Sequence, residues 1–262
     1  MEFYRIWAII LRHLLITFRA VHRTIDILYW PLLNIVLWGC NSLWHEQNES
    51  PLITFMLLTA LLFWQILFRA NMEVCASLLE ELKSNNFCNI FSTPITLGEW
   101  MVAVIFIGFL KSIFTFIFGT TCIWLLYSLN ILSIGWSLIP FVALITICGW
   151  SVGYLTASCI ITWGQQVEGL MWVIVWAFVP LSGIFFPVSI LPSWLQAIAY
   201  CLPQPYLFEG IRSLISTGFM PTALLLKGLI LSLLYFMISL YFFKNLFEKS
   251  KDVGLARLDR YE

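Results

Sequence analysis

The sequence predicts an all-α integral membrane protein with six transmembrane helices, an N-terminal interfacial helix and a re-entrant helical hairpin before the last span. The 262 residues are 61% hydrophobic and 11% charged, whereas soluble domains are roughly 45 to 50% apolar and about 25% charged. No charged residue occurs in 112–167 or in 169–208. A bilayer core takes about 20 apolar residues per helix, so each run holds at least one span. This composition argues against a disordered chain, a nucleic-acid-binding module and a soluble enzyme.

The first element is an amphipathic segment at residues 2–24. On a helical wheel it carries an apolar stripe and an arginine stripe about 120° apart. The apolar stripe comprises Trp7, Leu11, Leu14 and Phe18, and the basic stripe comprises Arg5, Arg12, Arg19 and Arg23. We expect this helix to lie along the membrane, with its arginines on anionic lipid headgroups. The alternative, that it begins the first span, would put three arginines into hydrocarbon at high cost.

Six apolar segments are long enough to be the spans. In chain order they are residues 27–44, 52–68, 100–127, 136–162, 169–186 and 222–243. The polar segments 45–50 and 163–168 close the first and fourth spans, and a charged tail follows at 244–262. Between the second and third spans, the polar stretch 69–99 carries acidic residues on a predicted short helix that ends at a Ser-Thr-Pro break.

The region 187–221 differs from the spans because five prolines divide it. Its two pieces, 193–202 and 206–217, are too short to cross a bilayer. They are predicted to be short helices that dip back into the membrane from the outside.

The distribution of basic residues predicts the topology. The N-terminal segment and the tail hold nine of the fourteen Lys and Arg residues, while the loops 45–50 and 128–135 hold none. By the positive-inside rule both termini are cytoplasmic, and the hairpin opens to the opposite side.

Few residues within the spans could carry chemistry. Lys111 lies inside the third span, either reaching the cytoplasmic headgroups or facing a lumen and an anionic substrate. Lys227 is expected to reach the outer interface. With no acid expected inside the membrane, ion coupling has no evident site. The seven scattered cysteines form no CxxC pair or metal-ligand spacing, and we expect neither a catalytic site nor a metal site.

ATP-driven transport requires a phosphate-binding loop, GxxxxGK[ST]. None of the three Lys-Ser pairs of the chain follows a glycine in that frame. We therefore expect this chain to bind no cofactor, with ATP and Mg²⁺ held by a separate subunit if ATP drives the process.

Residues 182–212 resemble the signature of the ABC-2 type permeases, the membrane subunits of one class of ABC exporters. The segment reads SGIFFPVSILPSWLQAIAYCLPQPYLFEGIR. The matching positions are Ser182, Gly183, Phe185, Phe186, Pro187, Leu191, Pro192, Trp194, Leu195, Gln196, Pro205, Tyr206, Glu209, Gly210 and Arg212. Weaker similarity extends to the N-terminal helix, which resembles the family's elbow helix, and to 78–94, which resembles its cytoplasmic coupling helix.

The resemblance implies two sites. A cytoplasmic coupling region at 73–94 would dock on the ATPase through Glu73, Glu80, Glu81, Lys83, Thr93 and Pro94. The hairpin would cap the outer end of the pathway through Phe185, Phe186, Pro187, Pro192, Trp194, Pro205, Tyr206, Glu209 and Arg212. Glu209 and Arg212 would pair with each other.

The resemblance also implies the partners: two copies of an ABC ATPase subunit and a second permease copy, as a homodimer or as a heterodimer with a related permease. The pathway would lie between the two copies, along spans one, two and five, in a bacterial cytoplasmic membrane. The substrate would be amphipathic, either a lipid-linked glycan or a drug-like lipophile. The alternatives are a non-transporting assembly subunit and an ion-coupled secondary transporter.

Overall fold

The computed structural model describes residues 2–19, 21–46, 51–84 and 86–253, and every regular element in these ranges is a helix. This confirms the predicted all-helical class. In the described ranges the α-helices are α1 (Phe3–Arg19), α2 (Val21–Glu46), α3 (Pro51–Lys83), α4 (Phe87–Ser92), α5 (Leu97–Tyr127), α6 (Leu138–Trp163), α7 (Leu170–Ser182), α8 (Ser193–Ala199), α9 (Pro203–Thr217) and α10 (Thr222–Val253). Three 3₁₀ helices lie at Ile131–Ser137, Gly164–Val167 and Val188–Ile190.

Four helical segments of the described chain are both long and apolar enough to cross a membrane. They are Leu52–Lys83, Leu97–Tyr127, Ile131–Val167 and Thr222–Lys251. The predicted first and fifth spans fall on α2 and α7, which are outside this set. The α7 helix has 13 residues, about 20 Å at 1.5 Å per residue, and Gly183 ends it in the left-handed region with φ 73°.

The second predicted span continues well beyond residue 68. The α3 helix is 33 residues long and ends at Lys83, so Glu73, Glu80 and Glu81 lie on the same helix as that span and not on a separate short one. The half of α3 beyond residue 68 has a buried apolar face: Val74, Leu78 and Leu82 belong to one hydrophobic cluster with residues of α1, α5 and α6.

The last helix also runs beyond its predicted end. The α10 helix reaches Val253, so the first half of the predicted tail is helical. Phe243 and Phe247 are buried against Trp100 and Phe91, respectively. The remaining tail, 254–262 with Arg257 and Arg260, and loop residues 47–50 are outside the described residues.

The centre of the fold is the close packing of α3 against α6. A Cβ on Gly149 would lie 2.5 Å from the Leu67 carbonyl oxygen, and one on Gly153 would lie 2.9 Å from the Val74 side chain. The two glycines form a GxxxG pair, and such pairs let helix backbones approach closely in membranes. This contact holds α3 in the middle of the bundle, with α2 and α5 packed on its other sides.

Candidate functional site

A buried ion pair joins α3 to α5. Lys111 Nζ donates to both carboxylate oxygens of Glu73, at 2.8 and 2.7 Å, and both side chains are almost completely buried. Ser77 Oγ lies 3.5 Å from the same carboxylate. The expectation that no acid accompanies Lys111 is therefore wrong, and the lysine faces a carboxylate of its own chain.

A second set of charges connects α1 to the C-terminal half of α3. Arg12 donates to Glu81 Oε2 at 2.7 Å, and the buried His13 lies 3.5 to 3.6 Å from carboxylate oxygens of Glu80 and Glu81. Arg5 donates to the Pro94 carbonyl. Two of the four arginines predicted to face lipid headgroups are thus bound within the protein, while the side chain of Arg23 is outside the described residues.

The coupling region consists of the end of α3, the short helix α4 and the turn before α5. Glu73 and Glu81 are buried inside the protein, whereas Lys83 is half exposed and paired with Glu168. Thr93 and Pro94 lie on the exposed turn, where Thr93 donates to the Ile90 carbonyl. The exposed surface of this region therefore includes the end of α3 at Lys83, part of α4 and the turn after it.

A cleft of about 350 Å³ opens beside α4. It is lined by residues of α1, α3, α4 and α5, among them Arg12, Glu81, Asn86 and Asn89. Trp100 closes its floor, with an indole Nε1 that is buried without a hydrogen-bond acceptor in the described part of the chain.

At the other end of the bundle, the hairpin is held by Glu209 and Arg212. Arg212 donates to the carbonyl oxygens of Gly183 and Ile184, at 2.7 and 3.4 Å, and Glu209 accepts from the Val188 backbone N–H at 3.3 Å. The expected ion pair between the two is not formed. Both side chains instead bind the turn that follows α7. Burial lowers the pKa of the Arg212 guanidinium, and the nearby Glu209 carboxylate opposes that shift.

Prolines set the bounds of the two hairpin helices. Pro187 precedes the 3₁₀ turn, Pro192 precedes α8, and Pro205 lies in the first turn of α9, where a missing N–H costs no helical hydrogen bond. Tyr206 donates to the Tyr200 carbonyl and so joins α9 to the end of α8. Of two further predicted residues of this region, Trp194 is exposed and Phe186 is partly buried.

Aromatic rings form a column along α2, α3 and α7. Its inner level is Trp30, Phe68 and Trp172, with ring centroids 5.3 to 6.0 Å apart. Its middle level is Trp64 and Trp176, at 6.2 Å. At its outer level, Phe185 stacks on Trp38 at 4.3 Å. The column spans the three helices on which the pathway was predicted.

Sequence reasoning missed the partners of these charges because they are distant in the chain. Glu73 and Lys111 are 38 residues apart, and Arg12 and Glu81 are 69 apart. One signal was readable: Arg69 and Glu73 are one helical turn apart, the spacing that puts two charges on the same helix face. The pair Gly149 and Gly153 also marks the closest helix packing in a form that a sequence scan detects.

Long apolar helices packed around a central helix define the fold of an all-helical membrane protein. The family model described as ABC-2 type transporter matches residues 4–216, most of the chain. The chain belongs to the ABC-2 type transporter family, which confirms the resemblance. No curated protein sequence matches it significantly.

Proposed function

We infer that this chain is the transmembrane permease subunit of an ATP-driven ABC exporter, with ATP hydrolysis on a separate subunit. The family membership supports a permease that works with an ABC ATPase. The single observation that supports coupling between the ATPase and the transport pathway is the length of α3. It is a continuous helix of 33 residues, about 50 Å long at 1.5 Å per residue. It connects the cytoplasmic helix α4 to the outer half of the bundle.

The proposed topology has six spans, with α2 and α7 as the first and fifth, both termini cytoplasmic and the hairpin of α8 and α9 re-entrant from the outside. The N-terminus of α9 supports the re-entrant placement. Pro203 and Gln204 line a small cavity together with Ser151 and Ser239, which lie near the middles of α6 and α10. A helix that begins at that depth has entered the membrane from one side.

The proposed coupling surface is α4 and the turn 93–94. These residues are exposed at the end of α3, and the ion pairs of α3 with α1 and α5 make the three helices move as one body. An ATPase that closes on α4 would thus tilt α3 and α5 together. The buried Glu73 and Glu81 transmit this motion as internal contacts, while the exposed residues of α4 make the docking contacts.

We assign the transport pathway to the faces of α2, α3 and α7 between two permease copies, in a homodimer with two ATPase subunits. The aromatic column lies on these helices, and Val173 and Trp176 of α7 are exposed on the single chain. Aromatic walls suit an amphipathic substrate that carries rings or lipid tails. The anionic-lipid contact proposed for α1 is retained for Arg19, which is exposed.

Co-purification tests the proposal. The tagged permease is expressed with a Walker-motif ATPase encoded beside it, and ATPase recovery is measured for the wild type, Ser92→Arg and Ser216→Arg. Both serines are exposed, one on α4 and one near the end of α9. We expect Ser92→Arg to lose most of the ATPase, and the Ser216→Arg control to keep it. If no ATPase is retained by the wild type and the chain alone transports under an ion gradient, the proposal is wrong.

One observation favours a second candidate, ion-coupled transport. Glu73 is a buried acid within a membrane-length helix, and such acids carry protons in secondary transporters. Both of its oxygens accept hydrogen bonds from Lys111, however, so the carboxylate is already engaged within the protein. Proteoliposomes with the permease alone and an imposed proton gradient separate the candidates, because only an ion-coupled transporter moves substrate there.

A further inference from the structure

Arg69 is a partly exposed cation on α3 that makes no ion pair with a carboxylate within the described residues. Within the described residues its guanidinium makes one hydrogen bond, from Nη2 to the Asp26 backbone carbonyl at 3.1 Å. Its Nε is buried and unpartnered. The nearest acid on the same helix is Glu73, and both of its carboxylate oxygens accept hydrogen bonds from Lys111. Buried guanidinium donors normally find acceptors, so Arg69 has capacity for an anion.

The depth of Arg69 matches the inner headgroup region in the proposed topology. Along α3 it lies about 27 Å from Pro51 at the outer end, and the hydrocarbon core is about 30 Å thick. Lys111 lies about 24 Å from Tyr127 along α5, at a similar depth. A charged layer therefore lies at the cytoplasmic boundary and consists of Asp26, Arg69, Glu73 and Lys111. Of its two cations, Lys111 contacts a carboxylate and Arg69, in the described part of the chain, does not.

The aromatic column begins directly beside this cation. Phe68 precedes Arg69 on α3 and packs on Trp172, while Trp30 lies one turn after Asp26 on α2 and also packs on Trp172. From there the column continues outward to Trp176, 46% of which is exposed. A cation at headgroup depth beside an apolar aromatic wall is complementary to a lipid of the inner leaflet that has an anionic headgroup.

We propose that Arg69 binds the phosphate-bearing headgroup of an amphipathic lipid substrate, whose apolar part lies along the aromatic column. The planar guanidinium binds phosphate oxygens through two parallel hydrogen bonds, which an ammonium cannot do. The site selects substrates with an anionic head in the inner leaflet. This assignment rests on the proposed permease function and adds the headgroup chemistry of its substrate.

The test measures lipid binding to the permease alone, reconstituted in phosphatidylcholine nanodiscs. The probe is a radiolabelled polyprenyl monophosphate, compared with the neutral polyprenol, phosphatidylglycerol and inorganic phosphate. The variants are Arg69→Gln, Arg69→Lys and the control Lys244→Gln, an exposed lysine on α10. Because no ATPase is present, a failure here leaves the co-purification result standing, so the two proposals fail separately.

We expect the wild type to bind the polyprenyl phosphate in preference to the other three compounds. Arg69→Gln should weaken this binding about tenfold or more, since a hydrogen bond to a charged group is worth about 1.5 to 3 kcal/mol. Arg69→Lys should weaken it less, and Lys244→Gln should not change it. If Arg69→Gln does not yield monodisperse protein, the wild-type preference and the Arg69→Lys affinity carry the test.

Three results would overturn the assignment. The first is that Arg69→Gln binds the polyprenyl phosphate with the affinity of the wild type. If that variant cannot be purified, the corresponding result is that Arg69→Lys has wild-type affinity and binds the neutral polyprenol equally well. The second is a wild type that does not prefer the phosphate over the polyprenol. The third is equal, Arg69-dependent binding of phosphatidylglycerol or inorganic phosphate, which would make this a general lipid or anion site and not a substrate site.

Discussion

Replacing Lys111 by Met should destabilise the protein far more than any exposed lysine substitution. The replacement leaves the Glu73 carboxylate, which is 8% exposed, without its partner. Breaking a buried pair by removing one member costs about 3 to 5 kcal/mol, because a charge stays buried and uncompensated. The Lys111 side chain is itself 13% exposed, so we expect the lower part of that range.

The double variant Lys111→Met with Glu73→Met should recover most of the loss, because two well-packed apolar side chains often match a buried ion pair in stability. The assay is the apparent melting temperature of the detergent-purified protein, followed by loss of the monodisperse peak, for the wild type, both single variants and the double variant. The matched control is Lys244→Met, whose ion pair with Glu248 is 3.9 Å long and exposed, and which should melt close to the wild type.

The cycle gives a coupling energy between the two side chains, expected at about 2 kcal/mol or more. A coupling energy near zero, with Lys111→Met as stable as the Lys244→Met control, would refute the internal pair. Lys111 would then have to face lipid headgroups or a lumen, as the sequence alone allowed.

Three further predictions concern helix packing and the hairpin. Gly149→Ala should lower the melting temperature by on the order of 5 °C, because its methyl group meets α3 backbone at 2.5 Å. Gly169→Ala, with open space around the new methyl, should not lower it, and equal melting of the two variants would contradict the packing. Arg212→Met should raise backbone hydrogen exchange in 183–188 while leaving α3 unchanged, since two hydrogen bonds to that turn are lost; unaltered exchange there would exclude the anchoring role. Tyr127→Phe should cost about 1 kcal/mol through loss of its hydrogen bond to the α2 backbone, and a melting temperature equal to that of the wild type would show that this bond does not hold α2 and α5 together.

The acidic residues of α3 connect this helix to its neighbours. The charged residues of α3 contact four neighbouring segments. Arg69 contacts the start of α2 and Glu73 contacts α5. Glu80 and Glu81 both contact α1, and Lys83 contacts the turn after α6. These contacts cost desolvation, but they connect α3 to its neighbours on several sides. In the proposed permease, a helix connected in this way would carry movement of α4 across the membrane.

Much of the fold was predictable from local sequence, because a bilayer demands long apolar helices and prolines restrict where a helix begins. The all-helical class and the family followed from composition and the motif at 182–212, and the family was confirmed. Helix ends were less predictable. The end of the second span was placed at residue 68 because hydropathy falls at Arg69. Helical hydrogen bonds do not depend on hydropathy, however, and the apolar face of α3 beyond that point is buried in a cluster with α1, α5 and α6.

The sequence by itself determined that this protein lies in a membrane, that it is helical, that it belongs with the ABC-2 permeases and that it carries no ATP-binding loop. Only the tertiary structure decided which charges meet. Glu73 with Lys111, Arg12 with Glu81, and Arg69 with the Asp26 carbonyl are each formed by residues on different helices. The physical reason is that apolar patterns are local and readable, whereas the partner of a buried charge depends on how helices pack across long stretches of chain.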